Sequence, residues 1–267
     1  MPGHAEPAQP TPLDPSVAHV ARVYDYWLGG KDNFAADREA AELAIAANPG
    51  IRASARANRA FLARSVRYLA ADCGIRQFLD IGTGLPTAAN THEIAQAVAP
   101  ECRVVYVDND PVVLLHARSR LVSDPAGAAA YVEADLRDTG RILTEAARTL
   151  DFSQPVAIML IAILHAIGDV DPYQIVAKLV DAVPPGSYLV LSHVASDIDA
   201  EQIAEATARL NQLSHQHFTL RDHAQVLRFF EGLELLEPGV VRVENWRASE
   251  LEPRYQSAMW GGVGRKP

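Results

Sequence analysis

The chain has 267 residues, 49% of them hydrophobic, and a formal net charge of −9. This length can bury one good-sized core, or one core and a small helical annex. The acidic balance, without a run of lysines or arginines, argues against a nucleic-acid partner and favours small molecules. There are two cysteines, and no apolar run approaches the roughly 20 residues of a membrane span. We therefore expect no disulfide framework, no membrane contact and a cytoplasmic location.

The first part of the chain predicts a tail followed by a helical cap. Residues 1–15 are rich in proline and have little to bury, so we expect them to be disordered. Apolar residues then recur at helical spacing in three segments, residues 16–28, 35–47 and 51–71. Ser16 is the expected N-cap of the first segment, which stops at Gly29 and Gly30. We expect residues 16–72 to form a cap over a second unit, residues 73–267.

Arginines surround the polar side of the third helical segment. They are Arg52, Arg56, Arg59, Arg64 and Arg67. Such a stripe is typical of a solvated helix face, and we expect these side chains to face water.

From residue 76 onwards, apolar strands alternate with helical segments. The strands are FLDIG, VVYVD, AAYVEAD, PVAIMLIAI and SYLVLSHV. The later segment LELLEPGVVRVENW predicts two more strands that form a closing hairpin at Pro238 and Gly239. The alternation predicts an α/β fold with a doubly wound, mostly parallel seven-stranded sheet and the N-terminal helical cap. In such sheets, ligands bind at the carboxyl ends of the strands.

A glycine-rich turn follows the first strand, in the segment QFLDIGTGLPT. Gly82 and Gly84 allow the backbone to approach a ligand, and the next helix offers unpaired N–H groups at its start. The second strand ends in Asp108, where a carboxylate can reach ribose hydroxyls. The pattern predicts a cofactor that contains adenosine; an ordinary strand, turn and helix capped by Thr87 is the alternative.

The residues around the two glycines distinguish between adenosine cofactors. A dinucleotide turn needs a third small residue at a position that Thr87 occupies here. Asp80 precedes the first glycine and would repel a pyrophosphate, but its charge suits a ligand with ammonium and sulfonium groups. The sequence therefore favours S-adenosylmethionine over NAD.

These segments resemble those of a known family. The DxGxG turn and the acids after the second and third strands are similar to those of class I S-adenosylmethionine-dependent methyltransferases. More narrowly, RVYDYWLGGKDNFAADREAAE, ARANRAFLARSVRYLA and QFLDIGTGLPT resemble an actinobacterial family, once a domain of unknown function and later named S-adenosyl methyltransferase. The resemblance implies a Rossmann-like methyltransferase fold and leaves the acceptor of the methyl group open.

The resemblance also implies roles for individual residues. Around the cofactor it places Asp80, Gly82, Thr83 and Gly84 at the methionine and ribose, Asp108 at the ribose hydroxyls, Asn109 beside the adenine, and Asp135 and Leu136 at the adenine amino group. For Asp135, a helix N-cap is the alternative. Pro86 stands where many methyltransferases have a third glycine, which stiffens the turn.

The cap and the segment after the fourth strand supply further candidates. Tyr26 and Asn33 lie in the segment that resembles the family signature, and we expect them to close over the cofactor. For Tyr24 and Trp27, packing between helices is an equal alternative. His165 follows the fourth strand, as a histidine does in many small-molecule methyltransferases, and could take a proton from the acceptor if its pKa lies near the working pH.

Metal chemistry is not predicted. His215, His217 and His223 occur without accompanying acids or cysteines, and His92–Glu93 lacks the second histidine of HExxH.

The functional hypothesis is a methyltransferase that uses S-adenosylmethionine and a small-molecule acceptor. Two alternatives remain open: a protein that binds S-adenosylmethionine for regulation or partner binding without turnover, and, less favoured, an NAD(P)-dependent reductase.

Overall fold

The structure is a computed structural model that describes residues 14–86, 89–113, 123–168, 170–214, 217–250, 252–253 and 255–267. Several predictions made above fall outside these ranges. They concern residues 1–13 of the tail, Thr87 as a helix cap, and His215.

A single mixed sheet forms the centre of the fold. Its strands are β1 Gln77–Ile81, β2 Arg103–Asp108, β3 Ala128–Glu133, β4 Ala157–Ile161, β5 Tyr188–Val194, β6 Glu234–Leu235, β7 Val241–Arg242 and β8 Met259–Arg265. The order is β3-β2-β1-β4-β5-β8-β6, and β7 also pairs with β8. Strands β1 to β5 are parallel, whereas β8 runs antiparallel to β5. The predicted α/β, mostly parallel fold is confirmed, with eight strands in the described residues instead of seven.

The closing hairpin is a wrong prediction. Strands β6 and β7 both pair with β8, which lies beyond the predicted hairpin segment. β8 has the sequence MWGGVGR. Strands are predicted from β-branched and aromatic residues, and the three glycines of β8 weaken that signal. Packing explains one of these glycines, because a Cβ at Gly261 would lie 2.7 Å from Cγ1 of Val243.

The helices in the described residues are α1 Val20–Leu28, α2 Ala35–Ala47, α3 Ile51–Ala71, α4 Thr91–Val98, α5 Thr139–Ala146, α6 Pro172–Asp181, α7 Ala200–Leu213 and α8 His223–Leu227. α1 begins later than predicted: its N-cap is His19, and the Ser16 hydroxyl instead donates to Asp14 Oδ1 across 2.6 Å. Its end agrees with the prediction, since Gly29 adopts the left-handed conformation with φ of 88°. In the part of the chain that the structure describes, no helix combines the length and apolarity needed to cross a bilayer.

Both faces of the sheet are covered. On one face, α5 and α6 pack against the strands around Leu79 and Ile158. On the other, α3 packs through Phe61 and Val66 against Phe78. α3 thus covers one face of the sheet, although it belongs to the segment that we expected to act as a cap.

A third apolar cluster joins α1, α2 and α7. Val23, Trp27 and Ala44 of the first two helices pack with Ala206 and Leu210 of α7. The cap therefore combines helices from both halves of the chain. Because α7 follows β5, the cap is held beside the carboxyl ends of the parallel strands.

One of the α3 arginines contradicts the expectation of a solvated face. Arg64 is buried, with Nε donating to Trp246 O at 2.8 Å and Nη2 to Val243 O at 2.6 Å. Its Nη1 lies 2.7 Å from Oε2 of Glu252. Arg64 therefore fixes the segment that leads to β8.

Candidate functional site

A cavity of about 390 Å³ lies between the cap and the carboxyl ends of the parallel strands. Its wall includes residues from α1, α3, α7 and the turns after β1, β2, β3 and β4. This is the position expected for the ligand of a doubly wound sheet.

The glycine turn after β1 forms part of the cavity wall. Gly82 and Gly84 have φ of 74° and 67°, a region that other residues rarely adopt. A Cβ at Gly82 would lie 2.4 Å from Cγ1 of Ile163, so the turn also needs glycine for its contact with the segment after β4. At Gly84 a Cβ would meet no atom within 4 Å, which leaves open space over this backbone. Thr83 between them also lines the cavity.

Asp108, the last residue of β2, is hydrogen-bonded to the glycine turn. Its Oδ2 accepts a hydrogen bond from Gly84 N at 2.8 Å, and its Oδ1 accepts one from Asp110 N at 2.9 Å. Burial raises the pKa of this carboxyl, and the two backbone donors partly oppose that rise. The carboxylate is thereby fixed in orientation on the cavity wall.

Asp80 is the second buried carboxylate of the site. Oγ1 of Thr91 donates to its Oδ2 at 2.6 Å. Burial raises the pKa of Asp80 to about 6, while the hydroxyl of Thr91 and the charge of Arg59 lower it. A carboxylate that is costly to ionise gains much from a cationic ligand, because the ligand's charge compensates for the lost solvation.

The turns after β2 and β3 bring Asn109, Asp135 and Leu136 to the cavity wall. Nδ2 of Asn109 lies 3.4 Å from Oδ2 of Asp135. Asp135 accepts from Arg137 through both N and Nη1, at 2.8 Å each. It is not a helix N-cap: Asp138 has that role for α5.

Two of the predicted cofactor contacts lie off the cavity wall. The hydroxyl of Tyr26 donates to Oε1 of Glu42 at 2.6 Å, on the outer side of the cap. Nδ2 of Asn33 donates to Oδ2 of Asp25 at 2.9 Å. Among the described residues the wall includes Asp25 but neither Tyr26 nor Asn33. Helix α1 turns Tyr24 towards the cavity and Tyr26 away from it, and the roles of Tyr26 and Asn33 at the cofactor stay predictions.

His165 lies on the cavity wall, in the single 3₁₀ turn Leu164–Ala166 that follows β4. It is buried, and its ring stacks on Phe218 with 5.5 Å between centroids. Burial, followed by the charge of Arg221, lowers the pKa of His165 to about 4. The condition for a general base, a pKa near the working pH, is not met; the ring is neutral at pH 7.

The cap is tied to the Asp108 side of the site by a buried ion network. Nε of Arg22 lies 2.9 Å from Oδ2 of Asp37, and Nη1 lies 3.3 Å from Oδ2 of Asp110. Nδ1 of His19 lies 2.9 Å from the same oxygen of Asp110. Since Asp110 also donates its N–H to Asp108, the cap and the Asp108 carboxylate share one set of contacts.

Sequence reasoning missed polar residues of α3 that face the cavity. Arg59 lines the wall, and its Nη2 donates to Ala89 O at 3.0 Å. Asn58 donates through Nδ2 to the Tyr24 hydroxyl at 3.0 Å and accepts from Ser192 Oγ at 2.6 Å. Helical periodicity marks these positions as polar but cannot say that the polar side borders a cavity.

Metal ligands were not predicted. His217 lines the cavity, whereas Nε2 of His223 lies 2.9 Å from Val240 O. Within the described ranges, no group of three or more histidines, cysteines and acids has an arrangement that could hold a metal ion.

Comparison with known proteins identifies the family. The family model described as S-adenosyl methyltransferase matches residues 6–267. The chain belongs to this family. It is thus an S-adenosylmethionine-dependent methyltransferase with the fold of that class, and S-adenosylmethionine is its cofactor. A comparison with curated proteins finds no match.

Solved structures agree with this assignment. A DUF574 family protein from Streptomyces avermitilis is 45% identical, with a TM-score of 0.90 over 95% of this chain and 99% of that one. A protein described as a putative methyltransferase from Thermobifida fusca is 43% identical, with a TM-score of 0.86 over 94% and 96% of the two chains. An O-methyltransferase family protein from Burkholderia thailandensis shares the fold alone, at 15% identity and a TM-score of 0.52 over 80% and 59%.

The residues present fit this cofactor. Gly84 leaves room for a ligand against the backbone, and two buried carboxylates, Asp80 and Asp108, offer acceptors for an ammonium group and for hydroxyls. These acceptors are therefore chemically matched to an amino acid joined to a nucleoside.

Proposed function

We propose that this protein transfers the methyl group of S-adenosylmethionine to a small molecule bound in the same cavity. One observation carries the proposal: the carboxylates of Asp80 and Asp108, with the glycine turn between them, border a cavity that continues to the apolar wall beside His165. The cavity thus joins the glycine turn directly to the apolar wall, and a transfer reaction needs its two ligands in such contact.

Asp108 is proposed to accept the two ribose hydroxyls, and Asp80 to face the ammonium group of the methionine part. Asn109, Asp135 and Leu136 are proposed to surround the adenine, with Gly82, Thr83 and Gly84 along the methionine and ribose. Their common position on the cavity wall supports these roles.

Arg59 is proposed as a further cofactor residue. Its charge is close enough to Asp80 to lower the pKa of that carboxyl, and it lines the same cavity. A cation beside a carboxylate complements the two opposite charges of a free amino acid. We assign Arg59 to the carboxylate of the methionine part.

When bound, the cofactor supplies an activated methyl group whose carbon accepts electrons as its bond to sulfur breaks. The protein's own contribution is to position the acceptor and to exclude water. Residues 16–72 are proposed to act as the lid over residues 73–267, held by the Arg22–Asp37–Asp110 network. The free thiols of Cys73 and Cys102 support the proposed cytoplasmic location.

The test is a turnover screen. The protein is incubated with S-adenosylmethionine and a library of small molecules, and S-adenosylhomocysteine and methylated products are measured by mass spectrometry. We expect a product whose mass rises by one methylene and whose formation is lost in Asp108→Asn. The exposed Asp181, at the end of α6, gives the matched control Asp181→Asn. Tight cofactor binding without product from any acceptor would favour the non-catalytic alternative.

A further inference from the structure

The part of the cavity beside His165 has its own chemistry. Its wall is largely apolar and includes Leu62, Ile203, Leu210, Phe218, Leu220 and Met259. It adjoins the cofactor turn, since Ile163, two residues before His165, occupies the space where a Cβ of Gly82 would lie. An acceptor here would be next to the glycine turn.

His165 is a polar group of this part of the wall, and one of its ring nitrogens lacks a protein partner. Among the described residues its Nδ1 has no hydrogen-bond partner although it is buried. The ring is fixed between Phe218, on which it stacks, and His193, whose centroid lies 5.5 Å away in an edge-on contact. A buried polar atom without a partner costs about 1–3 kcal/mol, so the two ring contacts, and no hydrogen bond of Nδ1, hold His165 in this position.

A buried cation lies behind His165. Nη1 of Arg221 is 2.8 Å from Nε2 of His193, and Nδ1 of His193 is 2.8 Å from Val194 O. Arginine can only donate, so Nε2 of His193 accepts and Nδ1 carries the proton. His193 is therefore neutral and does not cancel the charge of Arg221.

No carboxylate of the described residues lies within ion-pair distance of Arg221, which is 8% exposed. Its guanidinium instead lies over the rings of Tyr173 and Phe229, at 5.8 and 5.6 Å from their centroids. The carboxylates on the cavity wall, Asp25, Asp80, Asp108 and Asp135, belong to α1, to the ends of β1 and β2, and to the turn after β3. Behind the wall at the end of the cavity after β4 and β5, the buried charge is therefore that of Arg221.

Building on the proposed function, we propose that the acceptor is a small apolar molecule with an acidic hydroxyl, a phenol or an enol, that binds as its oxyanion against the neutral ring of His165. The hydroxyl proton passes to water. The oxyanion then forms the new bond to the methyl carbon, and the carbon–sulfur bond breaks with its electron pair left on sulfur. His165 contacts the acceptor, whereas Arg221 acts through His193 and is a positioning residue.

The positive charge of Arg221 opposes the protonation of His165 and stabilises an oxyanion beside it. Burial is the larger cause of the low pKa of His165, and the charge of Arg221 is the smaller one. An amine gains nothing from the charge in its neutral form and is repelled as an ammonium ion. His217 also lies on this part of the wall.

A spectroscopic titration with 4-nitrophenol tests the inference, because the phenol and the phenolate of this probe absorb at different wavelengths. The protein is first saturated with S-adenosylhomocysteine, and calorimetry verifies that saturation. The absorbance of the bound probe is then followed against pH. We expect the bound probe to ionise at least one pH unit lower than the free probe, a tenfold or greater stabilisation of the phenolate.

Variants distinguish charge from structure. Arg221→Met should abolish the shift, and Arg221→Lys, which keeps the charge, should retain most of it. Arg228 is exposed and also lies over the Tyr173 ring, at 4.2 Å, so Arg228→Met is the matched control and should leave the shift unchanged. Each variant is accepted only if it binds S-adenosylhomocysteine as the wild type does.

Three results would overturn the inference: a bound probe that ionises at or above the pH of the free one, a shift that survives in Arg221→Met, or no binding of the probe to the saturated wild type. Failure to bind S-adenosylhomocysteine would instead contradict the proposed function itself.

Discussion

The backbone N–H of Gly84 donates a hydrogen bond to Oδ2 of Asp108 across 2.8 Å. This bond joins the turn after β1 to the end of β2, so the two strands present one surface to a ligand. Because Gly84 has a positive φ, few other residues could direct this N–H without strain. The relation explains how two motifs distant in sequence act as one binding element.

The cofactor affinity should depend on pH through Asp80. Its pKa is about 6, so the carboxylate is mostly charged at pH 7 and mostly protonated at pH 5. We expect the affinity for S-adenosylhomocysteine to be about tenfold lower at pH 5 than at pH 7, since one unit of pKa corresponds to a factor of ten. Calorimetry at the two pH values measures this. In Asp80→Asn the affinity should be low at both; an equally steep fall in that variant would assign the titration to another group.

Asp80 should also reduce the stability of the ligand-free protein. Folding raises the pKa of Asp80 from 3.8 to about 6, so folding favours the protonated form of this carboxyl. Stability is therefore higher below pH 4 on account of this group and is lost as the pH rises towards 6. At pH 7, Asp80→Asn should stabilise the ligand-free protein by on the order of 2 kcal/mol, measured by urea unfolding. A destabilised Asp80→Asn would mean that the ionised carboxylate is better compensated than its burial implies.

Arg59→Met should weaken S-adenosylhomocysteine binding about tenfold or more, because a charge-assisted contact to the ligand's carboxylate is removed. The exposed Arg56 on the same helix gives the control Arg56→Met, which should bind normally. The decisive ligand is S-adenosyl-3-thiopropylamine, the decarboxylated analogue. Wild type and Arg59→Met should bind it equally; an undiminished difference would show that Arg59 does not contact the carboxylate.

Arg64→Met should destabilise the fold without a direct effect on the cofactor. The substitution removes donors from the carbonyls of Val243 and Trp246 and leaves both buried. We expect a loss of about 2–4 kcal/mol in the free energy of unfolding, from two unpaired carbonyls at 1–3 kcal/mol each. Arg67→Met, on the exposed side of α3, should change it by less than about 0.5 kcal/mol. Equal unfolding midpoints for the two variants would contradict this account.

Local sequence patterns predicted the sheet and the turn because both depend on neighbouring residues. An apolar strand followed by closely spaced glycines and an acid restricts the backbone to few conformations, and Gly82, Gly84 and Asp108 lie together as that pattern indicates. The roles of these residues in binding remain predictions. The alternation of strands and helices likewise predicted that β1 to β5 run parallel to one another.

The remaining differences arise from tertiary contacts. Arg56, Arg59 and Arg64 look alike in a helical pattern, yet one is exposed, one lines the cavity and one is buried. Tyr24 and Tyr26 differ in the same way, because the rotation of α1 is set by its packing against α2 and α7. β8 was missed because its glycines are required by the side chains of Val243 and Phe230, which are remote in sequence.

The most direct measurement is a calorimetric titration of wild type, Asp108→Asn and Asp181→Asn with S-adenosylhomocysteine, S-adenosylmethionine and NAD. Removal of the Asp108 charge should cost about 1.5–3 kcal/mol, or roughly ten- to a hundredfold in affinity for the first two ligands, while Asp181→Asn binds as the wild type does. NAD should not bind. Binding of NAD, or an Asp108→Asn variant with unchanged affinity for S-adenosylmethionine, would contradict the account of the site.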